Sequence, residues 1–343
     1  MRIVGISHKT RYWQHYAFSN PPDGYRYSRM VDVPWHVLGV RDQFLAHTKF
    51  FLPVKHADLY HTYNSVVANH RPWVIEVESY LPRYKPMRET HPLFKWGQRR
   101  LAGSDCKALI FTSRHTLGMN RDKLAAVGVD PSKMQVIYRA VEQYQPGEKD
   151  PAHFTILFAG NGFYRKGGIE LLKAFKRLGR ADVRLVIVST LEVDWGITPS
   201  PDDIAFAERT IAGDDRITLH RGLGHAALLQ LMRKAHVFAS TTFADPFNNT
   251  VLEAMGAQLP VISSRVSSIP EIVDHDRNGW LLEVEGRASD AIADELAGRL
   301  RQLMDDPVLL QRMGGESLAV VRERFDLRVR NAALRKLYDG ITG

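Results

Sequence analysis

The sequence predicts an α/β protein built from two doubly wound, parallel-sheet domains. Three observations carry that expectation. Strand-like and helix-like segments alternate through the second half, the pattern of parallel strands with helices on both faces. The length of 343 residues suits two domains better than one. Between the halves runs a polar, proline-bearing stretch, Gln145-Pro146-Gly147-Glu148-Lys149-Asp150, which places the boundary at 147/148.

In chain order, Ile3–Ile6, Leu59–His61, Trp73–Val77 and Ala108–Phe111 read as apolar strands of the first domain, 1–147. Their C-terminal ends carry His8, Glu78-Ser79 and Ser113, and Trp96–Ala102 and Gly118–Val127 have helical spacing. The second domain, 148–326, begins with the strand Phe154–Ala159 and a helix over 167–178 with apolar Ile169, Leu171, Leu172, Phe175 and Leu178. Strands follow at 183–188, 217–220, 236–240, 260–263 and 279–283, separated by helices at 202–211, 226–235 and 250–257. Three helical segments, 289–304, 307–324 and 327–341, end the chain, and the last, within 327–343, is expected to cross back onto the first domain. No period of 20–50 residues recurs, which excludes a solenoid. Two such domains are expected to leave a ligand cleft at the carboxyl ends of their strands.

Apolar residues make up 44% and charged residues 24%, enough for a sizeable core and too apolar for a disordered chain. A single cysteine, Cys106, excludes an intramolecular disulfide, suits a reducing compartment and reads as a core residue. The opening residues hold too short an apolar run for a signal peptide, and no stretch is long enough to span a bilayer, so a cytoplasmic location is expected. The net charge of +8 is lopsided. Residues 1–150 hold 22 Lys and Arg against 13 Asp and Glu; the remainder hold 24 against 25. In 83–100, Arg83, Lys85, Arg88, Lys95, Arg99 and Arg100 oppose only Glu89, with Tyr84, Phe94 and Trp96 between them. That field fits an anionic partner: a nucleic acid, an acidic acceptor, or a membrane surface docked peripherally through the cations and Phe94 or Trp96; an ordinary solvated face gives the same letters.

Two loops carry the chemistry. After the strand Phe154–Ala159 comes Gly160-Asn161-Gly162-Phe163-Tyr164-Arg165-Lys166-Gly167-Gly168. Glycines let the backbone approach a ligand, and the following helix aims its N-terminal amides at the same spot. Arg165 stands where a Walker loop or a dinucleotide fingerprint requires glycine. What remains is a helix N-terminus with two cations, suited to a diphosphate, or an exposed polar turn. The second loop is Phe243-Ala244-Asp245-Pro246-Phe247-Asn248-Asn249-Thr250-Val251-Leu252-Glu253, with a helix starting near Asn249 or Thr250. Asp245 and Glu253, expected in the first helical turn, would accept hydroxyl hydrogen bonds, and backbone amides would hold phosphate. Taken singly, Glu253 also reads as a helix-capping carboxylate and Asp245 as a turn former.

With Pro260-Val261-Ile262-Ser263-Ser264, Ser267-Ser268-Ile269-Pro270-Glu271 and Asn278-Gly279-Trp280, these loops resemble the donor-binding domain of family 4 glycosyltransferases, retaining enzymes of GT-B fold. The resemblance runs from about Phe154 to Leu282. It implies that Lys166 and Arg165 neutralise the diphosphate of a nucleotide sugar, that Glu253 binds ribose and that Asp245 contacts the sugar. Asn161, Gly162, Phe247, Asn248, Asn249 and Thr250 would line the donor, and Leu223 would meet the base. His8, Glu78 and Ser79 would fall on the acceptor side. Asp245 stands where the family has glutamate, Asn161 where it has arginine, and Glu78-Ser79 where it has histidine and a small or acidic residue.

The implied activity is metal-independent, retaining transfer of a hexosyl group from a nucleotide-diphosphate sugar to a hydroxyl acceptor, lipid-linked or an acidic saccharide. No cofactor and no specific nucleic acid are expected. A nucleotide-sugar epimerase and a non-catalytic protein binding RNA or an anionic surface are the alternatives. Asp274-His275-Asp276 has the letters of a metal-binding D-x-D but sits in a turn, and no histidine pattern suggests zinc.

Overall fold

The apolar runs pair side by side, and every pairing within the two large sheets is parallel. The computed structural model describes residues 1–7, 18, 20–33 and 42–343. They form two units, Met1–Ala140 with Phe325–Gly343, and Val141–Arg324.

The first unit holds β1 (Arg2–Ser7), β2 (Tyr25–Met30), β3 (Thr48–Lys49), β4 (Leu59–Tyr63), β5 (Val66–Val67), β6 (Trp73–Val77), β7 (Cys106–Phe111) and β8 (Met134–Val136). The large sheet has the order β2-β1-β4-β6-β7-β8, and β3 and β5 form a separate pair. Side chains alternate across a strand, so β6 and β7 feed two cores. Trp73, Ile75, Val77, Leu109 and Phe111 pack beneath Phe94, Leu101 and Leu124 of the helices Pro92–Ala102 and Arg114–Ala126. Val74, Ala108 and Ile110 face the other way, where Leu334 and Tyr338 of the helix Leu327–Thr342 cover them. Polar contacts fix that helix: the Tyr25 hydroxyl donates to Asp339 (2.7 Å), Arg2 to Thr342 (2.7 Å) and Arg330 to Glu76 (3.0 Å), and the Tyr338 hydroxyl lies 2.6 Å from His61 Nδ1.

Two features differ from the sequence reading. Residues 141–147 pack on the second unit, with the Tyr144 amide donating to Gly256 O (2.8 Å) and the Gly147 amide to Arg233 O (2.9 Å), so the division falls at 140/141. Phe94 is buried under the first sheet, and Trp96 leans on Phe44, so the basic segment 83–100 offers no exposed aromatic from these positions. Arg100 is engaged too, with Asp105 (2.9 Å) and the carbonyls of Val67 and Asn69. Lys85, Arg88, Lys95 and Arg99 are exposed. Cys106 is buried, and burial pushes its thiol up to about 12.

The second unit contains β9 (Phe154–Ala159), β10 (Val183–Val188), β11 (Ile217–His220), β12 (Val237–Ser240), β13 (Val261–Ser264) and β14 (Gly279–Leu282). Their order is β11-β10-β9-β12-β13-β14. The chain winds outward from β9 through β10 and β11, then returns to the other side of β9 at β12. A sheet that reverses in this way opens a crevice at the carboxyl ends of the two strands flanking the reversal, here β9 and β12.

Candidate active site

The loops leaving β9 and β12 are stitched together. The Phe243 amide donates to Arg165 O (2.9 Å), and the Ser240 hydroxyl to Lys166 O (3.1 Å). Gly167 permits this approach. Its φ is +80°, and a Cβ there would lie 2.4 Å from Thr241 O. Gly167 is also the N-cap of the helix Gly168–Leu178, and no side chain caps that end. Its first amides therefore have no side-chain acceptor from the cap.

Arg165 and Lys166 are 6% and 9% exposed. The sequence places Lys166 at a solvent-facing helix start; the structure instead folds it against Asp245, whose Oδ2 accepts from Lys166 Nζ at 2.9 Å. Asp245 has two further contacts. Its amide donates to Ser267 Oγ (3.3 Å), and Arg165 Nη1 lies 3.8 Å from its carboxylate. Arg165 has a second carboxylate, Asp194, which accepts from Nε (3.0 Å) and Nη2 (2.6 Å), and Trp195 stacks 4.3 Å from the guanidinium. A buried pair of cations between two carboxylates is stable only while all four groups remain partnered.

The helix after β12 is Asn249–Gly256. Asn248 caps it by accepting the Val251 amide (3.2 Å), while its buried Nδ2 has no hydrogen-bond partner. A desolvated amide donor of that kind is costly unless something accepts from it. Because the helix starts at Asn249, Glu253 lies beyond the first turn and is not held by the helix terminus. It receives a hydrogen bond from His225 Nε2 at 2.9 Å. Phe247 is buried, Asn249 and Thr250 are half-buried, and Leu223 is half-buried in the loop before the helix His225–Lys234. Asn161 is exposed and Gly162 buried.

The Glu253 hydrogen bond raises His225 above its ordinary value of 6.5, against the lowering effect of burial. A raised folded-state value means that the pair contributes its stability below pH 6.5 and loses it as pH rises through the raised value. Wild type should therefore lose more thermal stability than His225→Gln between pH 6 and 8.5. Equal losses in the two melting series would exclude the pair as a pH-sensitive contact. His236, pushed down to about 4 by burial, behaves identically in both proteins and cancels from the comparison.

In the first unit, Glu78 follows β6. Its carboxylate accepts from the Tyr63 hydroxyl and lies 3.4 Å from Arg139, while its amide donates to Asn64 Oδ1. Ser79 is buried with its hydroxyl unpartnered, and its carbonyl accepts from Asn120 (2.7 Å). His8 lies outside the described residues. The Asp274-His275-Asp276 turn is occupied by protein partners: Asp274 by Arg324 (2.8 Å) and Asp276 by Trp280 Nε1 (2.9 Å). Among the described residues, no group of three or more His, Cys, Asp or Glu side chains is arranged to hold a metal ion. No described helix is long and apolar enough to cross a membrane.

Asp194, Trp195 and His225 belong to no spacing pattern in the sequence, and Ser267, though part of the Ser267–Glu271 motif, carries no signal of its contact with Asp245. Each meets its partner across 20 or more residues. A Gly-x-Gly just before a helix was the available signal for His225.

With this geometry in place, the comparisons with known proteins are specific. The family described as Glycosyl transferases group 1 matches residues 153–306. The matched stretch lies within the second unit, Val141–Arg324. An MMP α-(1→4)-mannosyltransferase of Mycolicibacterium hassiacum is 30% identical over 196 residues, covering 56% of this chain and 45% of that protein. A D-inositol 3-phosphate glycosyltransferase of Pseudarthrobacter chlorophenolicus is 28% identical over 237 residues, covering 68% and 53%. The chain thus spans about half the length of these curated relatives. The crystal structure of Anabaena HepE in complex with UDP superposes with a TM-score of 0.67 at 17% identity, covering 99% of this chain and 100% of that one. That likeness establishes the GT-B architecture: two parallel-sheet α/β domains.

Proposed function

We propose that the protein transfers a glycosyl group from a nucleotide-diphosphate sugar to a hydroxyl acceptor, with retention and without a divalent metal. The observation that carries this reading is the buried Arg165–Lys166 pair beside the N-terminus of Gly168–Leu178, which no side chain caps. Fixed cations and helix amides stabilise charge that develops on a departing diphosphate, the work a metal does elsewhere. Lys166 is the diphosphate cation, Asp245 the sugar contact and Glu253 the ribose contact. The unpartnered Nδ2 of Asn248 is a ready donor to a sugar or phosphate oxygen. The UDP complex of HepE supports the nucleotide, and the named activities of the relatives support a glycosyl donor. Glu78 and Ser79 form the acceptor side in this reading. The exposed cations of 83–100 favour an acceptor bearing negative charge, soluble or at an anionic membrane surface.

The test is a thermal-shift panel of UDP, GDP, TDP and ADP in excess EDTA, followed by donor turnover with and without hydroxyl acceptors. A diphosphate at 100 times its dissociation constant should add about 2.7 kcal/mol. Binding that disappears on chelation overturns metal independence. Donor consumption with no acceptor requirement, yielding an epimer, overturns transfer.

A further inference from the structure

We infer that Asp194 is an internal counter-anion occupying the diphosphate place on Arg165, and that the segment 190–199 must release Arg165 for the donor to be clamped. The inference rests on the donor reading above and adds a competitor to that site.

The geometry is that of an anion site already filled. Asp194 takes the Nε and Nη2 edge of the guanidinium, and Arg165 Nη1 donates to Ala244 O. The same carboxylate sits over the glycine turn: a Cβ on Gly162 would lie 2.2 Å from Asp194 Oδ2. The turn that admits a ligand's oxygens beside a helix N-terminus therefore already admits a side-chain carboxylate. With Lys166 on Asp245, the quartet Arg165, Lys166, Asp194 and Asp245 has no net charge, so an arriving diphosphate meets two carboxylates as well as two cations. Like charges so close repel strongly, and one must leave.

Asp194 is the one built to leave. It lies in the connection between β10 and the helix Pro201–Ala212, whose own anchors sit near its ends. Ser189 Oγ accepts from the Leu191 amide, Thr190 O accepts from Arg221, and Ser200 caps the helix. Between them the chain adopts positive φ at Leu191 (+59°) and Gly196 (+92°). Trp195 is 56% exposed and rests on the Arg165 guanidinium. Asp245, by contrast, is tied from Lys166, Arg165 and Ser267. Trp195 is the next residue in the chain, so displacing Asp194 draws Trp195 off the Arg165 guanidinium, and donor binding and Trp195 exposure are coupled.

A ligand whose competent state is a minor population binds more weakly by that fraction. Asp194→Asn keeps the shape and removes the competing charge, so UDP in EDTA should bind it about tenfold more tightly than wild type, a gain set by a competent fraction near one-tenth. Asp194→Ser should do the same. UDP should also change the tryptophan emission of wild type, and Trp195→Phe should remove most of that change. Titration calorimetry and fluorescence read these effects directly. If wild type binds UDP and Asp194→Asn binds it equally or more weakly, the counter-anion role is overturned while the donor reading stands. If neither protein binds any nucleoside diphosphate, both fall. Should Asp194→Asn fail to fold, an unchanged Trp195 signal at saturating UDP overturns the inference on wild type alone.

Discussion

Lys166→Ala is expected to lower glycosyl transfer by at least about a hundredfold, the scale of losing one preorganised group at a developing oxyanion. The structure adds a second consequence, because Lys166 is buried on Asp245. Removing the amine leaves a carboxylate that is 8% exposed, with Arg165 Nη1 at 3.8 Å. Breaking a buried ion pair from one side costs about 3–5 kcal/mol in well-desolvated cases, and the nearby guanidinium places this one toward the lower end. Stability and activity should therefore separate in the double variant. Lys166→Ala with Asp245→Asn should recover much of the urea midpoint lost by Lys166→Ala and none of the turnover. Activity of Lys166→Ala within a few-fold of wild type would place the diphosphate cation elsewhere.

Gly167→Ala is expected to be the most damaging single methyl group in the second unit's loops. A left-handed conformation costs an L-residue about 1–2 kcal/mol, and the new Cβ would lie 2.2 Å from Thr241 Oγ1 and 2.4 Å from Thr241 O. The backbone carbonyl cannot rotate aside without opening the junction between the two site loops. A loss of about 3 kcal/mol or more is expected, the size associated with backbone strain plus steric overlap. Gly298→Ala is the control of opposite sign: Gly298 lies inside the helix Ser289–Asp305 with open space around its Cβ position. It should stabilise by about 0.5–1 kcal/mol. Urea unfolding of both variants checks the pair, and a Gly167→Ala midpoint matching wild type would refute the close-approach argument.

The second unit was legible because its strands are short apolar runs, fully buried in β12, β13 and β14 and half-buried at the edge strand β11. Phe154–Ala159, Val183–Val188 and Ile217–His220 emerge with the bounds their apolar runs suggest. The first unit was less so. The strand Tyr25–Met30 escaped notice because it is a sheet edge whose Arg26 and Arg29 face solvent, which hides the apolar pattern. In the site, sequence pattern marked Arg165, Lys166, Asp245 and Glu253 but misjudged two environments. Lys166 was expected in solvent, because a charge beside glycines resembles an exposed turn until its partner 79 residues away is known. Glu253 was expected at the helix terminus, because the start of that helix is set by the Asn248 cap rather than by the apolar period. Carboxylates such as Asp194 leave no local trace at all, since pairing at long sequence separation is a property of the fold.

The helix Leu327–Thr342 has a consequence for the order of events during synthesis. Val141–Arg324 is one uninterrupted stretch, so its contacts can form as soon as that stretch has been made. The first unit is discontinuous: Val74, Ala108 and Ile110 find their cover in Leu334 and Tyr338, which are translated only after the whole of the second unit. The half made first is thus completed last, and until then one face of its sheet is an exposed apolar surface of the kind that aggregates or recruits chaperones. Released chains ending at residue 324 should show a protease-resistant second unit beside a protease-sensitive first one.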